Sequence, residues 1–304
     1  MNGVVVVDKP AEITSARVVA RVKKILRAKK VGHTGALDPF ATGVLVCCIN
    51  QATRLARFLM YGKKRYEAVM RLGIRTDTQD LTGRIISGEQ NVALDDQQIH
   101  AVFRRFLKVT EQTPPAFSAL KHQGVPLYKL ARSGTFLRKP PRRIFIYGIE
   151  VLDIKLPHVR FEVSCSQGTY VRTLCSDIGD ALGCGAHLVQ LCRTESGGFS
   201  LERARSLDAL ERLAEAGKIS SCITPMNDAL KGIPQVIATD ALAGKIRYGQ
   251  PLTQEELGSP DETTSLWVKV TDTKGNLLAV LSARRENGVY PYACVFANNK
   301  NRRS

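Results

Sequence analysis

A twelve-residue segment, residues 32–43, constrains this chain more than any other part of its sequence. It reads GHTGALDPFATG and carries one carboxylate, that of Asp38. The glycines permit turns that other residues resist, and Pro39 biases Asp38 toward an extended backbone. An isolated Asp-Pro pair would indicate an ordinary turn. Here the carboxylate is projected from a specified loop without a second acid or a set of metal ligands beside it, which indicates a nucleophile.

The chain carries a large excess of positive charge. Its 44 Lys and Arg residues against 28 Asp and Glu give a formal net charge of +16. Such an excess favours a polyanionic partner through phosphate neutralisation and counterion release, with nucleic acid ahead of a membrane surface. No apolar run reaches transmembrane length, and the first apolar stretch, Val4 to Val7, is too short for a signal peptide. We therefore expect a cytoplasmic protein without a membrane partner.

The basic residues occur in four clusters along the chain. Each cluster alone is as readily a solvated surface as a binding site, but four together favour a surface that faces RNA. The last cluster carries the least weight because chain ends are commonly disordered. The clusters lie at 21–30, 63–65, 138–143 and 300–303.

The eight cysteines indicate reduced thiols and no metal site. They form no C-x-x-C pair, and a chain of 304 residues can bury a sizeable apolar core without disulfides. Cys47 and Cys48 follow an apolar run, so we expect both to lie in a buried strand. The prediction is no zinc, no other metal and no cofactor.

Hydrophobic periodicity predicts an α+β fold with a mixed, mainly antiparallel sheet. Val4 to Val7 is typical of a buried strand, and Phe161, Val163 and Cys165 alternate as in a half-buried one. Ser15 is the predicted cap of a helix with apolar positions at helical spacing. A second helix is predicted from residues 99, 102, 103 and 106.

The character of the sequence changes near residue 230, so we predict two domains, 1–230 and 231–304. Short strand-like runs dominate the second, at Leu266 to Val270, Leu277 to Leu281 and Ala293 to Phe296. A small β barrel would close the edges of such strands.

Several further segments, read in order with the Asp38 segment, resemble the TruB-type tRNA pseudouridine synthases. They extend over roughly the first two-thirds of the chain, so the resemblance is far more specific than one short motif. The segments are Val7–Pro10, Lys64–Tyr66, Gly73–Asp80, Gln112–Lys121, Cys165–Thr173 and Leu182–Leu188. Residues 246–252, IRYGQPL, look more loosely like the PUA-like RNA-binding domain that follows the catalytic domain in this family.

The resemblance implies three catalytic residues. Asp38 stands at the position of the nucleophilic aspartate, and Arg172 at that of the arginine that pairs with it and keeps it ionised. Tyr66 stands at the position of the tyrosine that stacks on the target base and takes part in proton abstraction at C5. On residue type alone, Tyr66 would be a core residue and Arg172 a surface one.

Substrate-binding residues follow from the same resemblance. Tyr170 and Leu191 border the uracil together with Tyr66, and His33 wedges into the RNA loop, although a histidine so close to Asp38 also suits a general base. Tyr170 and Arg172 would share a face on a strand and diverge on a helix. Lys9 is expected to support the site structurally, and the segment 112–143 to pack over bound RNA.

The implied function is isomerisation of uridine 55 in the T loop of tRNA to pseudouridine, with the target base flipped out. The partner is the tRNA T stem-loop, with no obligate protein partner, and the chain is expected to be a monomer. Two alternatives stay open: a guide-RNA-dependent pseudouridine synthase subunit, and a non-catalytic tRNA-binding or folding chaperone. The sequence does not decide whether Asp38 attacks ribose C1′ or the uracil ring.

Overall fold

The computed structural model describes residues 1–88, 92–258 and 265–296. The basic cluster at 300–303 lies outside these ranges. The helices are α1 (Ser15–Ile25), α2 (Ala56–Leu59), α3 (Asp96–Arg105), α4 (Leu127–Arg132), α5 (Val171–Ala181), α6 (Leu207–Glu215), α7 (Met226–Ala229), α8 (Asp240–Arg247) and α9 (Gln254–Leu257). Short 3₁₀ turns occupy Asn50–Leu55, Leu201–Arg203 and Ile219–Cys222.

The strands of the first part of the chain are β1 (Gly3–Lys9), β2 (Val31–His33), β3 (Thr42–Ile49), β4 (Lys64–Leu72), β5 (Ile74–Thr76), β6 (Ile85–Gly88), β7 (Lys108–Gln112), β8 (Lys121–His122), β9 (Val125–Pro126), β10 (Arg142–Lys155), β11 (His158–Cys165), β12 (Ala186–Ser196) and β13 (Phe199–Ser200). The later strands are β14 (Gln235–Ile237), β15 (Trp267–Thr271), β16 (Leu277–Ser282) and β17 (Tyr292–Val295).

A nine-stranded sheet organises the first part of the chain. Its order is β1-β3-β12-β4-β11-β10-β7, with β2 beside β3 and β13 beside β12. The strands pair antiparallel except β12 and β3, which run parallel where Cys192 and Arg193 face Thr42 and Gly43. The predicted mixed, mainly antiparallel α+β architecture is therefore confirmed.

The edge formed by β1 and β3 is buried on both faces. Val5 and Val7 pack with α1 and α6, whereas Val4 and Val6 face a second apolar cluster on the other side. Cys47 and Cys48 follow the same alternation, so neighbouring thiols point to opposite faces. Both are free, and burial raises the pKa of the Cys48 thiol to about 12. The prediction of a buried strand here is confirmed.

The remaining strands of the large sheet bury one face under α3 and α5. Helix α3 contributes Ile99 and Phe103, as its periodicity predicts, and Phe103 meets Phe161 of β11 edge to face at a centroid distance of 5.3 Å. Met70 and Phe161 are among the fully buried sheet residues beneath them. On the opposite face, the alternating residues 65, 67, 69 and 71 of β4 are half-buried or exposed, and Phe145 and Tyr147 of β10 are exposed.

The predicted cap of α1 is wrong by one residue. Thr14 is the N-cap and its hydroxyl accepts the hydrogen bond of the Arg17 amide at 3.2 Å. Ser15, the first residue of α1, is buried and directs its hydroxyl to Leu37 instead. The sequence offers two adjacent hydroxyls for the N-cap. Thr14 takes that position, and the Ser15 hydroxyl bonds to the backbone of Leu37 in a distant loop.

Strands β14 to β17 form a separate four-stranded sheet in sequential order. The three later strands match the strand-like runs of the sequence to within about two residues. Their core packs on α8, with Ile246 and Leu281 fully buried. Trp267 of β15 meets Phe58 of α2 edge to face at a centroid distance of 5.0 Å, so this sheet is seated on the first part of the chain. Within the described residues, no helix is both long and apolar enough to cross a bilayer.

Candidate active site

The loop that carries Asp38 joins β2 to β3 and is fastened on both sides of the carboxylate. Before it, the Ser15 hydroxyl accepts a hydrogen bond from the Leu37 amide at 2.8 Å and donates one to the Leu37 carbonyl at 3.0 Å. After it, the Lys9 ammonium donates to the carbonyl of Pro39 at 2.9 Å. The backbone of Asp38 is therefore held between two anchored neighbours, and Lys9 has the structural place that the resemblance implied.

A third anchor is Arg193, which the sequence analysis did not single out. Its side chain is buried and donates through Nε to the carbonyl of Val44 at 2.7 Å, and through Nη2 to that of Gly35 at 2.9 Å. Nη1 reaches the carbonyl of Ala36 at 3.4 Å. One guanidinium thus ties the start of β3 to the first half of the loop that carries Asp38.

Arg172 brings a cation to Asp38. Its Nε lies 2.9 Å from Oδ2 of Asp38, and its Nη2 donates to Oδ1 at 3.4 Å. The Nε hydrogen is not directed at an acceptor, so the 2.9 Å contact is an ion pair by distance and Nη2 supplies the hydrogen bond. The Arg172 side chain is 5% exposed and that of Asp38 37%, which leaves the carboxylate the accessible partner.

Asp80 holds Arg172 from the other side. Its Oδ2 lies 3.2 Å from Nη1 of Arg172, while its Oδ1 accepts hydrogen bonds from the hydroxyls of Thr78 and Thr82 at 2.8 and 2.6 Å and from the Thr82 amide at 2.9 Å. Carbonyls complete the shell of Arg172, those of Thr78 at 2.9 Å and Phe117 at 2.8 Å. Asp80 ends the segment Gly73–Asp80, one of those that carry the family resemblance, but nothing in the sequence indicates that it pairs with Arg172.

Burial raises the pKa of Asp38 above its usual range, although 37% of its side-chain surface is open. Arg172 lowers that pKa, Asp80 raises it and Lys9 lowers it. The expected effect of Arg172 is therefore present, but desolvation is the largest influence. Arg172 orients the carboxylate and offsets only part of the cost of its ionisation.

Tyr66 lies in β4, buried between the core and the loop anchors. Strand register places it between Val163 of β11 and Arg193 of β12. Burial raises the pKa of the phenol, and the nearby charge of Arg193 lowers it. Tyr66 is 7% exposed, so little of it is open to solvent.

Tyr170 and Arg172 do not share a strand. Helix α5 begins at Val171, and Tyr170 is the residue just before it. The backbone of Tyr170 exchanges two hydrogen bonds with the buried side chain of Gln112, at 2.8 and 3.0 Å. The Arg142 guanidinium lies 5.1 Å from the centroid of the Tyr170 ring. The side chains of Tyr170 and Arg172 therefore do not share a face as they would on a strand.

Leu191 is buried in β12 and borders a groove lined by residues of β12, β4 and the start of β3. Phe40 and Thr42 line the same groove from the end of the Asp38 loop, and the Thr42 hydroxyl donates to the Leu191 carbonyl at 3.4 Å. Asp38 and Tyr66 are not among the lining residues of this groove. Leu191 thus lies beside the end of the Asp38 loop, where it offers an apolar surface.

His33 ends β2 and turns back onto its own loop. Its Nδ1 accepts a hydrogen bond from the Gly35 amide at 3.2 Å. Burial and the charge of Arg193 lower its pKa, so the imidazole is neutral at pH 7. Within the described residues, no group of three or more His, Cys, Asp or Glu side chains is arranged to hold a metal ion.

Sequence comparison gives two adjacent family matches. Residues 23–171 match the TruB family pseudouridylate synthase N-terminal domain, and residues 172–231 match the tRNA pseudouridylate synthase B C-terminal domain. A protein of Geobacter sulfurreducens named tRNA pseudouridine synthase B is 46% identical over 84% of each chain. A protein of the same name from Geotalea uraniireducens is 44% identical over 93% of this chain and 92% of its own length.

Solved structures agree with this assignment. One chain of a Cbf5-Nop10-Gar1 complex aligns with a TM-score of 0.75 and 28% identity, covering 96% of this chain and 84% of its own. A chain from an H/ACA RNP bound to a substrate RNA containing 2′-deoxyuridine aligns with a TM-score of 0.74 and 26% identity, covering 98% and 86%. The family matches and the close relatives establish that this chain belongs to the TruB family of pseudouridylate synthases.

Proposed function

We propose that this enzyme isomerises a uridine of tRNA to pseudouridine and that its target is uridine 55 in the T loop. The relatives that share 41–46% of its sequence are named tRNA pseudouridine synthase B. The observation that carries the proposal is the Asp38–Arg172 pair, in which a buried cation orients an accessible carboxylate.

Asp38 is the proposed nucleophile, and Arg172 and Tyr66 complete the catalytic set. Whether Asp38 attacks ribose C1′ or the uracil ring, only the ionised carboxylate can attack. Attack forms a bond between the Asp38 carboxylate and the nucleoside, and the bond from C1′ to N1 breaks. Uracil reorients, a bond from C1′ to C5 forms, and the bond to Asp38 breaks, which returns the free carboxylate. The C5 proton is lost, with Tyr66 taking part in its abstraction, and N1 gains a proton, so no redox partner is needed.

The proposed substrate contacts surround that set. A uridine inside a folded loop must leave its stack before a loop-borne carboxylate can reach it. Tyr66, Tyr170 and Leu191 are the proposed borders of the flipped uracil, and His33 is the proposed wedge in the RNA loop. A neutral imidazole suits a wedge, because it carries no charge that must be desolvated among bases.

The rest of the chain is proposed to hold the tRNA. A formal charge of +16 favours phosphate contacts along the T arm. Residues 231–304 are proposed to form a PUA-like RNA-binding domain, and the sheet of β14 to β17 lies within that range. We expect the enzyme to act as a monomer in the cytoplasm.

A guide-dependent subunit is the second candidate, because the aligned structures come from H/ACA and Cbf5 complexes. Their identity of 26–28% is well below that of the relatives named tRNA pseudouridine synthase B, which favours stand-alone action. A non-catalytic chaperone is disfavoured, because Asp38, Tyr66 and Arg172 are all present.

Tritium release from unmodified tRNA labelled with [5-³H]uridine tests the proposal without any guide RNA. We expect release by the wild type, none by Asp38→Asn, and none from a transcript whose uridine 55 is replaced. Binding of both proteins to the transcript, measured in parallel, separates loss of chemistry from loss of folding. Release that persists without uridine 55 would contradict the assigned target, and no release with intact binding would favour the chaperone or the guide-dependent subunit.

A further inference from the structure

Two aromatic rings lie exposed on the sheet face opposite the α3–α5 core. Phe145 and Tyr147 alternate along β10 with Ile144 and Ile146, which are buried in that core. The rings are 43% and 54% exposed, and they lie nearly parallel, with centroids 6.3 Å apart and an interplanar angle of 10°. This exposure leaves considerable apolar surface in water.

Positive charge borders the two rings. The Lys63 ammonium lies 5.3 Å from the centroid of the Tyr147 ring, and exposed Arg143 precedes Phe145 by two residues on the same face. The fold thus brings together the basic clusters at 63–65 and 138–143. Arg65 adds less free charge, because Glu162 lies 3.8 Å from it.

These rings are linked to the candidate active site by one short loop. The Phe145 amide donates to the Ser166 hydroxyl at 3.0 Å, and Ser166 begins the loop that ends at Tyr170. Arg142, at the start of β10, donates to the Gly168 carbonyl of that loop and lies over the Tyr170 ring. Arg142 and Phe145 point to opposite faces of β10, so the rings lie across that strand from the Arg142–Tyr170 contact and are joined to it by the loop from Ser166 to Tyr170.

We propose that Phe145, Tyr147 and Lys63 form a stacking platform that binds an unpaired base of the tRNA outside the catalytic pocket. Exposed aromatic faces beside cations are how proteins hold single-stranded segments, since every base has a π face and every linkage a phosphate. The proposal rests on the proposed function only for the identity of the RNA. A protein partner is less favoured because the cation over the Tyr147 ring is Lys63, and lysine is depleted at protein interfaces.

The test is the affinity for a full-length unmodified tRNA transcript at several salt concentrations, measured by fluorescence anisotropy with catalytically silent Asp38→Asn as the parent. Adding Phe145→Ala and Tyr147→Ala should raise Kd about five- to thirtyfold and leave the slope of log K against log salt unchanged. Lys63→Met should instead reduce that slope by about one. Leu152→Ala, which removes an exposed apolar side chain farther along β10, is the matched control and should change neither quantity.

Exchange of one aromatic residue for the other tests whether the rings themselves carry the affinity. Phe145→Tyr with Tyr147→Phe keeps both rings and should keep wild-type affinity. In the active parent, the double alanine variant should raise KM and leave kcat within about twofold, because the rings do not touch the reacting atoms.

The outcomes separate this proposal from the proposed function. Unchanged tRNA affinity of the double alanine variant overturns the platform, whether or not the wild type releases tritium. Self-association of the wild type that the double substitution abolishes, without a change in RNA affinity, would assign the rings to a second copy of the chain. Absence of tritium release with the expected loss of affinity would refute the reaction and keep the platform.

Discussion

Arg172 lies 2.9 Å from the carboxylate of Asp38 and is almost completely buried, whereas Asp38 is partly open. A fixed cation behind an accessible anion suits the proposed nucleophile, because it orients the carboxylate and leaves that carboxylate accessible. The rigidity of Arg172 comes from its other partners, which are Asp80 and the carbonyls of Thr78 and Phe117. The first prediction concerns that support.

Asp80→Asn is expected to lower kcat by about 10- to 100-fold with little change in KM, because misorientation of Arg172 affects the step that needs a directed carboxylate. It should also move the acidic limb of the pH–rate profile to lower pH, since the Asp80 charge raises the pKa of Asp38. Single-turnover rates of the wild type and Asp80→Asn between pH 5 and 8 measure both the fall in rate and the shift of the acidic limb. A purely structural defect would lower the rate without shifting that limb.

Gly43 is expected to tolerate no side chain. Its φ is +96°, and an added Cβ would lie 2.9 Å from the Arg193 nitrogen and closer still to the Arg193 carbonyl oxygen, both of them backbone. Gly134, with φ +86° and open space around it, is the matched control. Gly134→Ala should cost about 1 kcal/mol from backbone strain, and Gly43→Ala at least about 2 kcal/mol more. Urea denaturation of both variants checks this, and equal losses would contradict it.

Lys64 should give stability a measurable pH dependence. Burial lowers the pKa of its ammonium from 10.5 to about 8. Between these values the unfolded chain binds more protons than the folded one, so the free energy of unfolding rises with pH, and below about pH 8 the cost of burying the charge is fully present. The Lys64→Met variant has no ammonium at this position, so it lacks the contribution of Lys64 to the pH dependence of stability.

The stability of Lys64→Met relative to the wild type is therefore expected to be greatest near pH 7 and to decline toward pH 10. Denaturation curves of both proteins at four pH values test it. Lys9, whose pKa is also lowered to about 8, is present in both proteins and its contribution cancels. Parallel stability profiles for the two proteins would refute the prediction.

The parts of the site that the sequence predicted are those specified locally. The glycines and Pro39 mark the Asp38 loop, and the spacing of Ile99 and Phe103 marks α3, because each depends on neighbours within a few residues. The strand possibility for 170–172 did not hold. Thr-Tyr-Val suits a strand, but Leu174 and Ile178 recur at helical spacing and pack into the core, which decides in favour of α5.

The missed residues act over long sequence separations. Asp80 and Arg172 are 92 positions apart, and Arg193 reaches carbonyls about 150 positions away. A buried arginine that donates to carbonyls is indistinguishable in sequence from a surface arginine, because the carbonyls belong to every residue type. The roles of all six site residues stay predictions, since the substrate would define them: Asp38, Tyr66, Arg172, His33, Tyr170 and Leu191.

Arg193 supports the final prediction, which separates anchoring of the loop from catalysis. Arg193→Met should leave the carbonyls of Gly35, Ala36 and Val44 without this donor and cost about 3–5 kcal/mol of stability. Arg193→Lys keeps the charge but lacks the planar fork, so it should recover stability only in part and still place Asp38 poorly. We expect kcat of the lysine variant to fall at least tenfold while its tRNA affinity stays within about twofold, because Arg193 is buried and its contacts are to backbone carbonyls. Tritium release measures kcat and fluorescence anisotropy measures tRNA affinity, both on the same preparations. A lysine variant with full kcat would show that the position of Asp38 does not depend on the guanidinium.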